Sequence, residues 1–479
     1  LARLRPLLSS ADVADFQQGI ELIRSLDATA VWEHYAQNLR FQDRRPDWFF
    51  NEPMRASVHH NHRLSMTLWA MRETGMLEGI DLRIPRRELM PNLQALHGVS
   101  LRSLDLTWSK LGPEHVQRVT AAGLKAVNAL LLGNNQLGDE GVRVLTSAEP
   151  FHGLRNLDLS FNGIRDEGAQ TFARASHFDG LTQLDLENNL FTAPGGVAIA
   201  AARHLSGLTW LNLDNNRMGD QGAKALAEAT HLHRLAMLNL SNTDMGVEGA
   251  AYIVNASHLY GLSALYLRGN SMGPEGASLL AAAHPFSRLT TFDFGFNYIE
   301  DEGAIAIVNA MHLHGLTSLN LDGNDIWDDG AIAIANARHL NTLTELNLKD
   351  NEIREAGAFA IAQATHLRGL TTLNLSNNQI GAVGARAIAE ATHFAQLTSL
   401  DLSVNKIGLA GVQALASAPH LKNLKTLTLV KNNLDDEAAI ILANSPHLQQ
   451  LTTLGLEANP IGDVGKAALA KMPGEVLTW

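Results

Sequence analysis

Leu316-Thr317-Ser318-Leu319-Asn320-Leu321-Asp322-Gly323-Asn324-Asp325-Ile326-Trp327-Asp328-Asp329-Gly330-Ala331-Ile332-Ala333-Ile334-Ala335 is the stretch whose reading decides the fold. Leu316 leads into Leu319 and Leu321, whose period of two is that of a short strand with its alternate residues facing solvent. Asn324 then turns the chain, and Ile326 continues the core. Asp328 and Asp329 precede Gly330 and a helix-forming run, where acids favour the amino-terminal end of the helix dipole. The unit is therefore strand, turn, helix and return.

Outward from this unit, the same asparagine recurs at Asn135, Asn162, Asn189, Asn216, Asn270, Asn297, Asn324, Asn351, Asn378, Asn405, Asn432 and Asn459, with Thr243 in its place once, at a constant spacing of 27 residues. Ser109 begins the series 26 residues earlier, and a degenerate unit surrounds Ile80, Leu82 and Pro85. An inward amide carries both a donor and an acceptor, so a column of them satisfies backbone groups buried between successive turns. Strands stack about 4.8 Å apart whereas helices need about 10 Å, which predicts a bent stack. The expectation is an α/β solenoid, a horseshoe with a concave parallel sheet and convex helices.

Self-similarity at this period with this apolar pattern is the signature of leucine-rich repeats. The stretches Gly222-Ala223-Lys224-Ala225-Leu226-Ala227 and Gly411-Val412-Gln413-Ala414-Leu415-Ala416 resemble the ribonuclease-inhibitor type of repeat, and their phrasing is similar to the GALA group of bacterial secreted effectors. The resemblance covers about four fifths of the chain and implies partner binding. GALA effectors pair their repeats with an F-box, whose Leu-Pro-x-Glu-like opening is not found in residues 1 to 76.

Two regions are expected: a helical amino-terminal cap or arm over residues 1–76, and a repeat domain of about 14–15 units over 77–479. Ser10-Ala11-Asp12 marks a helix start, and Trp32, Tyr35, Trp48, Phe49, Phe50 and Trp69 make the first region aromatic-rich. A cap covers the open end of a repeat core. The alternative is an arm that recruits an enzyme such as a ubiquitin ligase to a target, in an effector or regulator.

The formal charge is −12, and the first hundred residues balance, so the acidic excess belongs to the repeats. That speaks against nucleic acid and anionic membrane as partners. The absence of cysteine excludes disulfides, thiolate metal sites and cysteine nucleophiles. No apolar run approaches the roughly 18 residues that span a bilayer. A cytoplasmic protein, or one secreted into a host cell, is expected.

Candidate partner-binding residues are the aromatics that break the small polar pattern of the sheet face, Trp108, Phe161, Trp210, Tyr266 and Phe296, together with Arg268, the turn residue Tyr298, and the acids Asp214, Asp322 and Glu345. Rigid aromatics bury large area at low entropic cost and anchor protein interfaces. The bland alternative is that Trp108 packs under the cap and that Phe161 and Phe296 form a small apolar spine between turns. The expected ligand is a protein or peptide; no catalytic residue, metal site or cofactor is expected.

Other patterns read as repeat grammar. The Asp or Asn between the strand leucines, as at Asp158, Asp185, Asn320 and Asp401, forms a diverging row ill suited to a hard cation. His177, His204, His231, His258, His312, His339, His366, His393, His420 and His447 share one register just after their helices, where histidine satisfies carbonyls; the sharper alternative is a pH-responsive edge. His59-His60-Asn61-His62 is read as a solvated or capping segment. Gly269-Asn270-Ser271-Met272-Gly273 matches the nucleophile-elbow pattern by chance, because Asn270 is a ladder residue in register.

Overall fold

The computed structural model describes residues 55–57, 80–83, 101–121, 127–148, 153–282 and 286–472. The chain divides into two compact units, Leu1–Asn212 and Leu213–Trp479. Of the helical cap or arm expected over residues 1–76, only the strand Arg55–Ser57 is described; the rest, with its aromatics and the cluster His59 to His62, lies outside the described residues.

In the first unit, the strands Arg55–Ser57, Ile80–Arg83, Leu101–Asp105, Ala129–Leu131, Asn156–Asp158, Gln183–Asp185 and Trp210–Asn212 pair in parallel and in chain order. The second unit repeats the arrangement from Met237–Asn239 to Thr453–Gly455. Strand residues pair with the residue 27 positions on, as in Leu319 with Leu346. A helix follows each repeat strand, for example Asp328–Asn336 after Ser318–Asn320. Each unit is thus an α/β solenoid of the expected kind, its core a set of columns in which Leu319, Leu321, Ile326, Ala331, Ile334 and Leu340 stand for one repeat. A fully buried leucine or isoleucine contributes about 1.5–3 kcal/mol, so the columns carry most of the stability.

The asparagine column performs the expected task. Asn351 accepts the backbone N–H groups of Asn324 and Ile326 at 3.0 and 3.2 Å and donates to the carbonyls of Leu321 and Lys349 at 2.8 and 3.0 Å. A hydroxyl column runs beside it: Thr317, Thr344, Thr371 and Thr398 each donate to the carbonyl of the residue 27 before. At the strand ends, Asp or Asn side chains accept the N–H two residues on, as Asp158 does from Ser160 at 2.9 Å and Asn374 from Ser376 at 2.9 Å. That local turn is why the position recurs.

The helix starts hold the expected acids, Asp328 and Asp329 lying in the first turn of Asp328–Asn336, and add a second role. In several repeats a first-turn aspartate also serves the helix of the next repeat. Asp301 accepts the N–H groups of Trp327 and Gly330 at 2.9 and 2.7 Å, and Asp328 accepts those of Arg354 and Gly357 at 2.9 and 2.8 Å. Asp139, Asp166, Asp220 and Asp436 do likewise. The cap of each of these helices is thereby a side chain of its neighbour, worth about 1 kcal/mol at each such junction. The glycine inside the helix makes room for the preceding core side chain and, where present, for this cap: a Cβ on Gly330 would stand 2.5 Å from Ile326 Cγ2 and 2.8 Å from the Asp301 carboxylate.

The same aspartate selects the turn. Where the preceding repeat supplies it, the residue before the helix is extended, as at Arg165, Thr192, Trp327 and Arg354. Where the equivalent residue is Pro113, Ala193, Val247, Pro274, Glu355 or Ala382, the corresponding residue is left-handed, at Gly138, Gly219, Gly273, Glu300, Gly381 and Gly408. After Leu409 the helix caps itself, Asp435 accepting from Ala438 at 3.1 Å.

Candidate functional site

Opposite the helix-facing leucines, the sheet of the second unit carries a cluster built on three successive repeats. Arg268, Gly295 and Asp322 occupy the same repeat position. The Arg268 guanidinium spans the middle repeat to grip Asp322 with two hydrogen bonds, Nη1 to Oδ1 at 2.5 Å and Nη2 to Oδ2 at 2.9 Å. Only glycine in between permits this: a Cβ on Gly295 would lie 2.1 Å from Asp322 Oδ1 and 2.8 Å from Arg268 Nη1. Asp322 is 4% exposed, and a two-pronged charge-assisted pair fixes the guanidinium plane as well as its position.

The Phe296 ring completes the arrangement, its centroid 4.6 Å from the Arg268 guanidinium carbon. Phe296 has φ of 52° and Tyr298 has φ of 58°. Bulky residues rarely adopt this left-handed backbone, at a cost of roughly 1 kcal/mol or more. The next repeat makes room for the ring with Gly323, whose Cβ would stand 2.7 Å from it. Phe296 is 37% and Tyr298 60% exposed.

Acids surround the cluster. Burial first, then the charges of Asp293 and Glu345, push the Tyr266 hydroxyl up from its ordinary range. Burial also raises the Asp293 carboxyl, against the N–H of Gly295 at 3.0 Å and the nearby Arg268. Asp214 is raised by burial despite the amide of Asn242 at 2.9 Å, and its charge reaches Arg268. Glu345 is exposed and accepts from the Ser318 hydroxyl at 3.0 Å.

The second unit therefore brings together Tyr266, Arg268, Phe296, Asp322 and Glu345 from the sequence-derived set, with Asp214 within electrostatic reach and Tyr298 in the same turn as Phe296. Trp108, Phe161 and Trp210 belong to the first unit. Trp108 and Phe161 lie in left-handed turns after the strands, with φ of 59° and 53°, as Phe296 does; all three were read as strand positions. Trp108 is 69% and Phe161 39% exposed, and Trp210 is a half-buried strand residue. Beside these aromatics the Asn212 amide donates to Asp185 and Glu187, both at 3.1 Å. Burial and then the Asp158 charge hold the Asp185 carboxyl well above the usual range.

Sequence reasoning missed Gly295 and Gly323, which shape the cluster by having no side chain; the available signal was glycine where other repeats place polar groups. It also missed the stacking of Arg354 on Trp327, at 5.2 Å. Among the described residues no group of three or more His, Asp or Glu side chains is placed to hold a metal ion. Ser271 sits in an ordinary turn, its N–H donating to the Met245 carbonyl at 3.0 Å.

Seven stretches match the family model described as leucine-rich repeat: residues 154–173, 206–227, 288–308, 312–335, 339–362, 366–389 and 396–416. Among solved structures, an internalin (inlF) from Listeria monocytogenes aligns at 21% identity over 77% of this chain and 89% of that one, with a TM-score of 0.43. No curated protein matches. Leucine-rich repeats are thus what the matched stretches between residues 154 and 416 are made of.

Proposed function

We propose that the chain is a non-enzymatic scaffold that binds a partner protein or peptide through the sheet face of its second unit, centred on Phe296, Tyr298, Tyr266 and the locked Arg268. The observation that carries the reading is the arrangement around Phe296. A bulky ring is held in a left-handed turn, stacked on a guanidinium whose own geometry is fixed by Asp322, and two glycines clear the space. Stability alone favours asparagine or glycine at such a turn, as in Asn242 and Gly269. Left-handed backbone recurs along the array, also at Trp108, Phe161 and Val404, and what sets Phe296 apart is that its neighbours are arranged around it: strain kept with such support marks a site under another demand. An aromatic and an arginine, pre-ordered and ringed by polar groups, are the residues that dominate protein interfaces.

The surrounding acids, Asp214, Asp293, Asp322 and Glu345, favour a partner surface of mixed or basic charge at this cluster. The period of 27 residues and helices of 8–10 residues, such as Glu300–Asn309, support the ribonuclease-inhibitor type of repeat for the scaffold. No helix among the described residues is long and apolar enough to cross a membrane.

A photo-crosslinking side chain at Tyr298 tests the reading, with one at Phe359, an exposed position of the helix Glu355–Gln363, as control. A discrete adduct from the first position and none from the second supports sheet-face binding. Adducts from Phe359 alone transfer the site to the helical side.

A further inference from the structure

A second feature of the same unit lies at its carboxy-terminal end. A cavity of about 510 Å³ opens across the turns of the repeats that carry Asn378, Asn405, Asn432 and Asn459. Its lining includes Val404, Lys406, Lys431, Asn377 and Asn433, all left-handed, with φ between 51° and 60°. Asparagine suits such a backbone; lysine and above all the β-branched valine do not. Three unfavourable side chains thus converge on one opening.

Charge gives the opening a direction. Six of the ten lysines of this acidic chain lie at or beyond residue 406. Neither Lys406 nor Lys431 has an ion-pair partner among the described residues. The one carboxylate in the lining, Glu352, is engaged by the side-chain amide of Gln379. Two unmatched ammonium groups therefore face solvent beside the side-chain amide of Asn433, which can both donate and accept, with Val404, Ala458 and Pro460 as apolar wall, while the Asn377 amide is engaged with the Asp350 carboxylate.

We propose that this cavity binds an acidic segment of a polypeptide, a glutamate or aspartate carboxylate settling between Lys406 and Lys431 while Asn433 hydrogen-bonds its backbone. The proposal rests on the reading that the chain binds polypeptide, and it adds a site remote in sequence from Phe296. A phosphate fits less well. Phosphate sites use converging backbone N–H groups or arginine forks, and here the turn N–H groups are spent on neighbouring repeats, Asn377 on Ser403, Val404 on Val430 and Lys431 on Glu457.

The test is a direct titration of the full chain with a labelled alternating Gly-Glu peptide, an alternating Gly-Gln peptide serving as control. The Gly-Glu peptide alone binds, and raising salt from about 50 to about 500 mM weakens it strongly. The double variant Lys406→Asn, Lys431→Asn places at each turn the residue found at the matching position of another repeat, Asn433 one repeat on from Lys406 and Asn377 two repeats before Lys431. It keeps or raises Tm and weakens binding about tenfold or more. A second double variant, Lys422→Asn with Lys425→Asn, changes net charge equally outside the cavity and keeps binding. Equal loss in both variants, no binding of the Gly-Glu peptide to the parent chain, or displacement by inorganic phosphate at lower concentration than by unlabelled peptide overturns the assignment. Crosslinking at Tyr298 reads out independently of every arm, so failure here and failure of the sheet-face reading are distinguishable.

Discussion

Phe161 and Phe296 occupy the same position of the repeat, both left-handed and both about two fifths exposed, yet their surroundings differ. Phe161 lies between Asn134 and Asn188 in its neighbouring repeats, with Gly133, Ser160 and Glu187 along the adjacent row. Phe296 lies between Gly269 and Gly323, with Arg268, Gly295 and Asp322 along that row. One ring is an irregularity on a polar background. The other is the visible part of a set of substitutions over three repeats that only make sense together, and this teaches that a site on a repeat array is recognised by coordinated departures, not by any single exposed aromatic.

The comparison breaks most sharply at the ion pair. Arg268→Ala leaves Asp322 buried without its partner; because Arg268 keeps about a third of its exposure, the expected loss is roughly 2–3 kcal/mol in denaturant unfolding, below that for a fully buried pair. Gly295→Ala forces the same pair apart and destabilises comparably, whereas an alanine at the matching position of an uncoordinated repeat, Ser376→Ala, costs less. A result in which both alanines are equal removes the claim that Gly295 is a gap kept for Arg268.

A smaller effect is expected at the inter-repeat caps. Asp301→Ala frees the N–H groups of Trp327 and Gly330 and lowers stability by about 1 kcal/mol. Hydrogen exchange should quicken at the start of Asp328–Asn336 in preference to the helix that carries Asp301, since the carboxylate serves the neighbour.

In the first unit the carboxylates conflict. Asp185→Asn puts there the residue found at half of the later equivalent positions, and raises stability at neutral pH, read as a higher Tm. The sign follows from the raised folded pKa of Asp185: its protonated form is favoured by folding, so the penalty is absent at acid pH and grows as pH rises through the folded value. The gain from Asp185→Asn therefore shrinks on acidification.

The histidine column predicts the opposite slope. The Nε2 atoms of His258, His339, His366, His393 and His420 are buried without a hydrogen-bond partner, and burial lowers all five rings below the ordinary imidazole value of 6.5. Backbone contacts to Leu226 and Ala310 partly oppose this for His258 and His339. Below that value the unfolded chain takes up protons before the folded one, so Tm falls as pH drops from about 7.5 to about 5.5. A flat Tm across that window contradicts the column's burial.

Much of the fold was legible because a repeated unit averages out local ambiguity: thirteen ladder positions at one spacing fix strand, turn and helix together. The charged and aromatic members of the candidate cluster, Arg268, Phe296 and Asp322, also stood out against their neighbours. Their pairing was hidden, since it joins residues 54 apart and depends on the missing side chain of Gly295. The aspartate caps between repeats were not legible, because helix-dipole reasoning looks within one helix, while these side chains also reach the helix of the next repeat. Trp108, Phe161 and Phe296 were read onto strands because periodicity does not report where the backbone turns left-handed.

The central claim is that Phe296 and not Phe161 is part of a binding site, and it is tested most directly by exchanging each for asparagine and measuring Tm and partner capture on the same samples. Phe161→Asn should raise Tm slightly, by relief of the strained turn, and leave capture intact. Phe296→Asn should abolish capture while the chain remains folded. Capture lost with Phe161→Asn, or unchanged with Phe296→Asn, would contradict the account.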